Sequence, residues 1–196
     1  MRQFSSVLDE VLSVVSGAFP FVLALMILAV LLRSWWFGFG LAIRVSLVDA
    51  VLLYSSVLVL YLVASPQPGV RTSLKWVPGT DLLSAVQAAP GDVWPWLQLT
   101  GNLGLLFPLG ALLPLRTPWL TSFRGLALAA FALTCTIETL QCTVMIGRVA
   151  SADDVVLNTG GALLGGLFSR PWWGELCGLP RPVPSRLWAR ERAVSR

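Results

Sequence analysis

Five runs of apolar residues divide the chain: 14–32, 46–64, 97–115, 125–146 and 155–168. None alternates with the period of two that marks a half-buried strand, and their lengths suit helices. At about 1.5 Å of rise per residue the first covers roughly 28 Å, close to the hydrocarbon thickness of a bilayer. The fifth is short unless it continues toward Trp172. Pro108 lies inside the third run and removes one backbone hydrogen bond, which predicts a kink near Gly104. Pro20 sits early in the first, where a membrane helix tolerates it. Between the second and third runs lies a long connection, 65–99. Its SPQPGVRTSLKWVPGTD stretch is rich in proline and glycine and reads as loop. Residues 33–44 and 116–124 are shorter loops, and a short polar turn joins the fourth run to the fifth.

Composition turns these helices into membrane spans. The 196 residues are 56% hydrophobic and only 12% charged, about half the charge of a soluble domain. So little polar surface could not cover so large an apolar core. The expected fold is all-α, a polytopic helical membrane bundle with about five transmembrane helices. Residues 1–96 form an amino-terminal pair of transmembrane helices plus a long external loop, 97–169 a three-helix core, and 170–196 a basic cytoplasmic tail. Tryptophans 35, 36, 76, 94, 96, 119, 172, 173 and 188 avoid the middles of the runs, as an interfacial aromatic belt would.

The net charge of +4 sets orientation rather than a nucleic-acid partner, because the arginines are scattered across loops. Arg33 and Arg44 flank the first loop, Arg116 and Arg124 the third, and Arg170, Arg181, Arg186, Arg190, Arg192 and Arg196 lie in the tail. With five spans these fall on one side. The positive-inside rule then puts the amino terminus outside and the carboxyl terminus inside. The chain has no histidine, which removes Ser/His triads and His-ligated zinc. Cys135, Cys142 and Cys177 lack CxxC spacing and read as small buried hydrophobes. No cofactor is expected, and no metal.

The chemistry concentrates in 137–166, IETLQCTVMIGRVASADDVVLNTGGALLGG. Counted from the outer ends, Asn102 lies roughly 8 Å deep, Glu138 roughly 12 Å, Gln141 roughly 8 Å and Asn158 roughly 5 Å, with Asp154 at the mouth of the fifth span. Glu138 and Gln141 share one helix face, and Asp154 and Asn158 another. Arg148 lies in the turn above. A carboxylate at such depth should face the bundle, so Asn102, Glu138, Gln141, Arg148, Asp154 and Asn158 form an expected ligand site. Each also has a plainer reading. Amides bond membrane helices together, Asp154 could N-cap the fifth span, and Arg148 with Asp153 could be a solvated turn. Gly161-x-x-x-Gly165 permits close helix approach, including a homo-oligomer.

Two segments here resemble the VanZ-like membrane protein family. Over 97–166, Asn102-Leu-Gly-Leu-Leu-Phe-Pro108-Leu-Gly110 resembles its asparagine and F-x-P-x-G segment. Glu138-Thr-Leu-Gln141, Arg148 and Asp154-Val-Val-Leu-Asn158-Thr-Gly160-Gly161 resemble its E-x-x-Q … R … D-V-x-x-N-T-x-G signature. Ser151 stands where some members have an aspartate, and the upstream half lies outside the resemblance. The resemblance implies a bacterial cytoplasmic membrane, envelope chemistry and a link to resistance to the glycopeptide teicoplanin. Two functions are expected to compete. One is a non-enzymatic protein whose outer-leaflet pocket binds a lipid or glycopeptide-like amphiphile, with Arg148 meeting a phosphate or carboxylate. The other is an intramembrane enzyme acting on a lipid or lipid-linked envelope precursor, with Glu138 as acid/base and Asp154 as second carboxylate. A proton-coupled transporter is a weaker third, since no inverted repeat is visible.

Overall fold

The computed structural model describes residues 2–36, 38–65, 73–143 and 149–174. The apolar runs become helices α1 (Arg2–Ser34), α2 (Phe39–Ala64), α4 (Trp94–Leu105) with α5 (Phe107–Leu112), α6 (Phe123–Thr143) and α7 (Ala152–Ser169). Segments Leu12–Ser34, Phe39–Ala64, Trp94–Leu115 and Phe123–Thr143 are long and apolar enough to cross a membrane. Helix α7, with 18 residues, spans about 27 Å, but two aspartates in its first turn dilute its apolar character. The helices turn large apolar side chains outward, among them Leu60, Leu128, Phe131 and Leu164. Lipid, not water, suits such a surface. The all-α membrane fold expected from the pattern is therefore the one observed.

Several boundaries differ. Helix α1 includes the lead expected before residue 14, and α2 begins at Phe39, so most of the 33–44 loop is helical. The long connection is not all loop. It holds strand β1 (Ser73–Lys75) and helix α3 (Thr80–Val86). Strand β1 pairs in parallel with β2 (Val149–Ser151), Lys75 opposite Ser151. The expected polar turn before the fifth span is thus partly a strand, leading straight into α7. The third run breaks at Leu106 between α4 and α5, two residues past the expected Gly104. There Pro108, in the first turn of α5, has no amide to donate.

The chain divides between Tyr54 and Ser55 into two compact units. In the amino-terminal unit, Tyr54 Oη donates to the Val15 carbonyl at 2.9 Å. Arg33 Nη2 lies 2.7 Å from Asp49 Oδ2, and Nη1 donates to Ser46 Oγ at 3.1 Å. Asp49 is thus paired with Arg33 of the neighbouring helix.

The second unit is built on α7. Its buried face carries Asp153, Asp154, Asn158, Gly161, Ala162, Gly165 and Gly166, one stripe at helical spacing. A Cβ on Gly161 would overlap the Leu103 carbonyl oxygen, and one on Gly165 the Phe107 carbonyl oxygen. Gly110 answers from α5, where a Cβ would overlap the backbone of Ala162. These glycines let α4 and α5 lie directly on α7. Gly161 and Gly165, the pair that could also serve a homo-oligomer, are buried against α4 and α5 of the same chain.

Candidate functional site

At the amino-terminal end of α7 six elements meet. Ser151 ends β2 and N-caps α7, its Oγ accepting the Asp153 amide at 3.2 Å. The cap that Asp154 could have supplied is therefore Ser151's. Asp153 reaches sideways, one oxygen accepting the Gly79 amide at 2.5 Å and the other the Asp81 amide at 2.7 Å. It tethers the start of α3. Gly79 has φ +89°, a left-handed conformation that favours glycine. Asp153 is buried and bonded, not part of a solvated turn.

Asp81 extends the network. Lys75 Nζ lies 2.7 Å from its Oδ1, and Ser151 Oγ donates to its Oδ2 at 2.8 Å. Glu138 Oε2 accepts the Ser151 amide at 3.2 Å, which fixes α6 to β2. Asp154 accepts a short hydrogen bond from Asn102 Nδ2, joining α7 to α4. All four acids are buried. Repulsion from Glu138, Asp81 and Asp153 acts on Asp154, and Lys75 partly offsets it.

Of the six expected site residues, Asn102, Glu138 and Asp154 thus converge around this junction. Asn158 lies one turn below Asp154 on the buried face of α7. Its side chain is 2% exposed, and its Oδ1 has no hydrogen-bond partner among the described residues. Gln141 is also buried, but its Nε2 donates to the Val63 carbonyl of α2 at 3.4 Å, a helix-bonding role. Arg148 lies outside the described residues.

Sequence reasoning missed Asp81 and Lys75, both inside the connection read as loop. Thr80-Asp81 before Leu82-Leu83 has the character of a helix start. Nothing local announces a bond to Ser151, 70 residues on. Among the described residues no three acidic or cysteine side chains are grouped to hold a metal ion. The acids meet amides, a hydroxyl and an ammonium instead. The junction is rich in acceptors, which suits a ligand that brings donors.

A family model described as VanZ/LLP1 matches residues 50–173, well over half of the chain. The chain belongs to that family. The match reaches upstream of residue 97 and takes in β1, α3, Lys75 and Asp81. No curated protein and no solved structure matches the chain.

Proposed function

We propose that this member of the VanZ/LLP1 family is a bacterial envelope protein that binds the polar head of a lipid or glycopeptide-like amphiphile at the Asn102–Asp154–Asn158 junction. Binding there would alter sensitivity to glycopeptides such as teicoplanin. The observation that carries this reading is the Asn158 carboxamide oxygen, buried and without a partner among the described residues. Such an atom costs about 1–3 kcal/mol, which a ligand head bringing a donor would recover. With Asp154 one turn away, the site favours an ammonium or hydroxyl-bearing head. Arginine placement supports an extracytoplasmic site in the cytoplasmic membrane, with the amino terminus outside.

The test is native mass spectrometry of the protein extracted with its own lipids, beside Asp154→Asn. An amphiphile enriched on the wild type and lost from the variant is expected, with altered glycopeptide sensitivity on gene deletion. No enriched molecule together with unchanged sensitivity would reject the reading. The enzymatic alternative is less favoured. Glu138 already accepts the Ser151 amide, and the Ser151 hydroxyl caps α7 and donates to Asp81.

A further inference from the structure

At the other end of α7 the chemistry reverses. A shallow furrow, open along one side, lies between α6 and α7. Its walls are apolar: Ala127 on α6, and Gly160, Leu163 and Leu167 on α7. The small side of Ala127 and the missing side chain of Gly160 leave the space open between larger neighbours. From Gly160 to Leu167 it follows α7 for roughly 10 Å.

The mouth is basic. Arg124 lines the hollow beside Phe123, and Arg124 is exposed. The guanidinium of Arg170 stands 5.5 Å from the centre of the Phe123 ring. Residues 123–137 and 155–174 contain no aspartate or glutamate, so neither segment supplies a compensating charge. Trp173 and Phe123 pack with ring centres 5.4 Å apart, and Trp172 with Phe168 at 5.9 Å. Aromatics beside arginines are the side chains of a membrane interface.

We infer that this furrow is a binding site for an anionic glycerophospholipid, one acyl chain lying between α6 and α7 and the phosphate meeting Arg124. Charge complementarity selects the head, since basic pockets between membrane helices take anionic lipid heads and guanidinium pairs with phosphate through charge-assisted hydrogen bonds. The apolar walls select the chain. Arg170 adds a second positive charge at the mouth. This site is separate from the acid–amide junction, and its head-group preference is the opposite.

The experiment uses the purified full-length protein in detergent, titrated with phosphatidylglycerol or phosphatidylcholine of the same chain length. Native mass spectrometry follows the bound lipid. Phosphatidylglycerol should bind at least about fivefold more tightly, as one to two arginines at a membrane surface would give. Arg124→Gln should cut the preference severalfold, leaving only what Arg170 supplies. Gly160→Leu should weaken both by filling the furrow. A Cβ at 160 meets nothing nearer than Leu103 Cδ1 at 3.8 Å, and the thermal midpoint of the variant checks that it folds. Equal affinity for the two lipids in the wild type would overturn the inference. So would an undiminished preference in Arg124→Gln or undiminished binding in Gly160→Leu.

Discussion

Replacing Asn158 with leucine should stabilise the protein while removing its ligand. Among the described residues the Asn158 Oδ1 is buried and unpartnered, at a cost of about 1–3 kcal/mol. Leucine has the same number and branching of side-chain heavy atoms, so no cavity is opened, and it has a higher helix propensity than asparagine by a few tenths of a kcal/mol. For a chain of this size each kcal/mol corresponds to roughly 2–4 °C in midpoint. Asn158→Leu should therefore raise the apparent Tm by at least about 2 °C in a common detergent, followed by tryptophan fluorescence. Asn158→Ala removes the same oxygen but leaves space behind, so its gain should be smaller. Native mass spectrometry of the same preparations should show the bound amphiphile lost from both. A group kept for binding has this signature, since stability gained at such a position comes with function lost. A lower Tm for Asn158→Leu would mean that the oxygen serves the fold, and retention of the amphiphile would mean that it serves nothing. Either result refutes the reasoning.

Two further outcomes follow from the packing and the charge pattern. Gly161→Ala should lower the Tm by about 2 °C or more, since overpacking costs about 1–3 kcal/mol and the obstacle is the Leu103 backbone. Gly160→Ala, whose Cβ would make only an ordinary contact with Leu103 at 3.8 Å, should leave the Tm unchanged or raise it slightly, and equal responses would contradict the α4–α7 contact. A single cysteine at the exposed Asp92 (Asp92→Cys, the native cysteines replaced) should react with an impermeant thiol reagent in intact cells. Labelling only after lysis would reverse the orientation.

The helices were legible because apolar length is a local property. Runs of 14–22 residues exceed any strand, and four of them reappear as apolar spans. The α4–α5 break was legible through Pro108. Helix α7 starts earlier than its apolar run because Ser151 caps it, and the Ser-Ala-Asp-Asp order holds that signal. The β1–β2 pair was not legible. Ser73–Lys75 is a three-residue, fully exposed strand, too short for periodicity, and its partner lies at 149–151. Asp81 was lost with it, because its burial depends on that pairing and on Asp153. Gln141 shows the opposite limit. Helical spacing put it on the Glu138 face, but a face at three-residue spacing is broad enough to meet two neighbours, and α2 takes the amide.

The hydrogen bonds divide the acids by role. Asp81 is held by Lys75 and Ser151, Asp153 by two amides at the start of α3, and Glu138 by the Ser151 amide. Each of these carboxylates closes a junction between elements far apart in sequence. Removing any one would leave stranded buried partners, a cost of about 1–3 kcal/mol or more for charged groups. Loss of function in such a variant would therefore report first on folding. Asp154 differs, because its hydrogen bond comes from another side chain, Asn102, on a helix brought close by Gly161. Asn158 differs further, its oxygen having no partner among the described residues. The glycine stripe and the polar stripe are thus one device. Without side chains at Gly161 and Gly165, α4 and α5 approach α7 closely enough for Asn102 to reach Asp154. The polar groups least committed to the fold then stand side by side on a single helix turn. On the proposed reading the ligand-facing groups are Asn102, Asp154 and Asn158, while Glu138 braces β2 through the Ser151 amide.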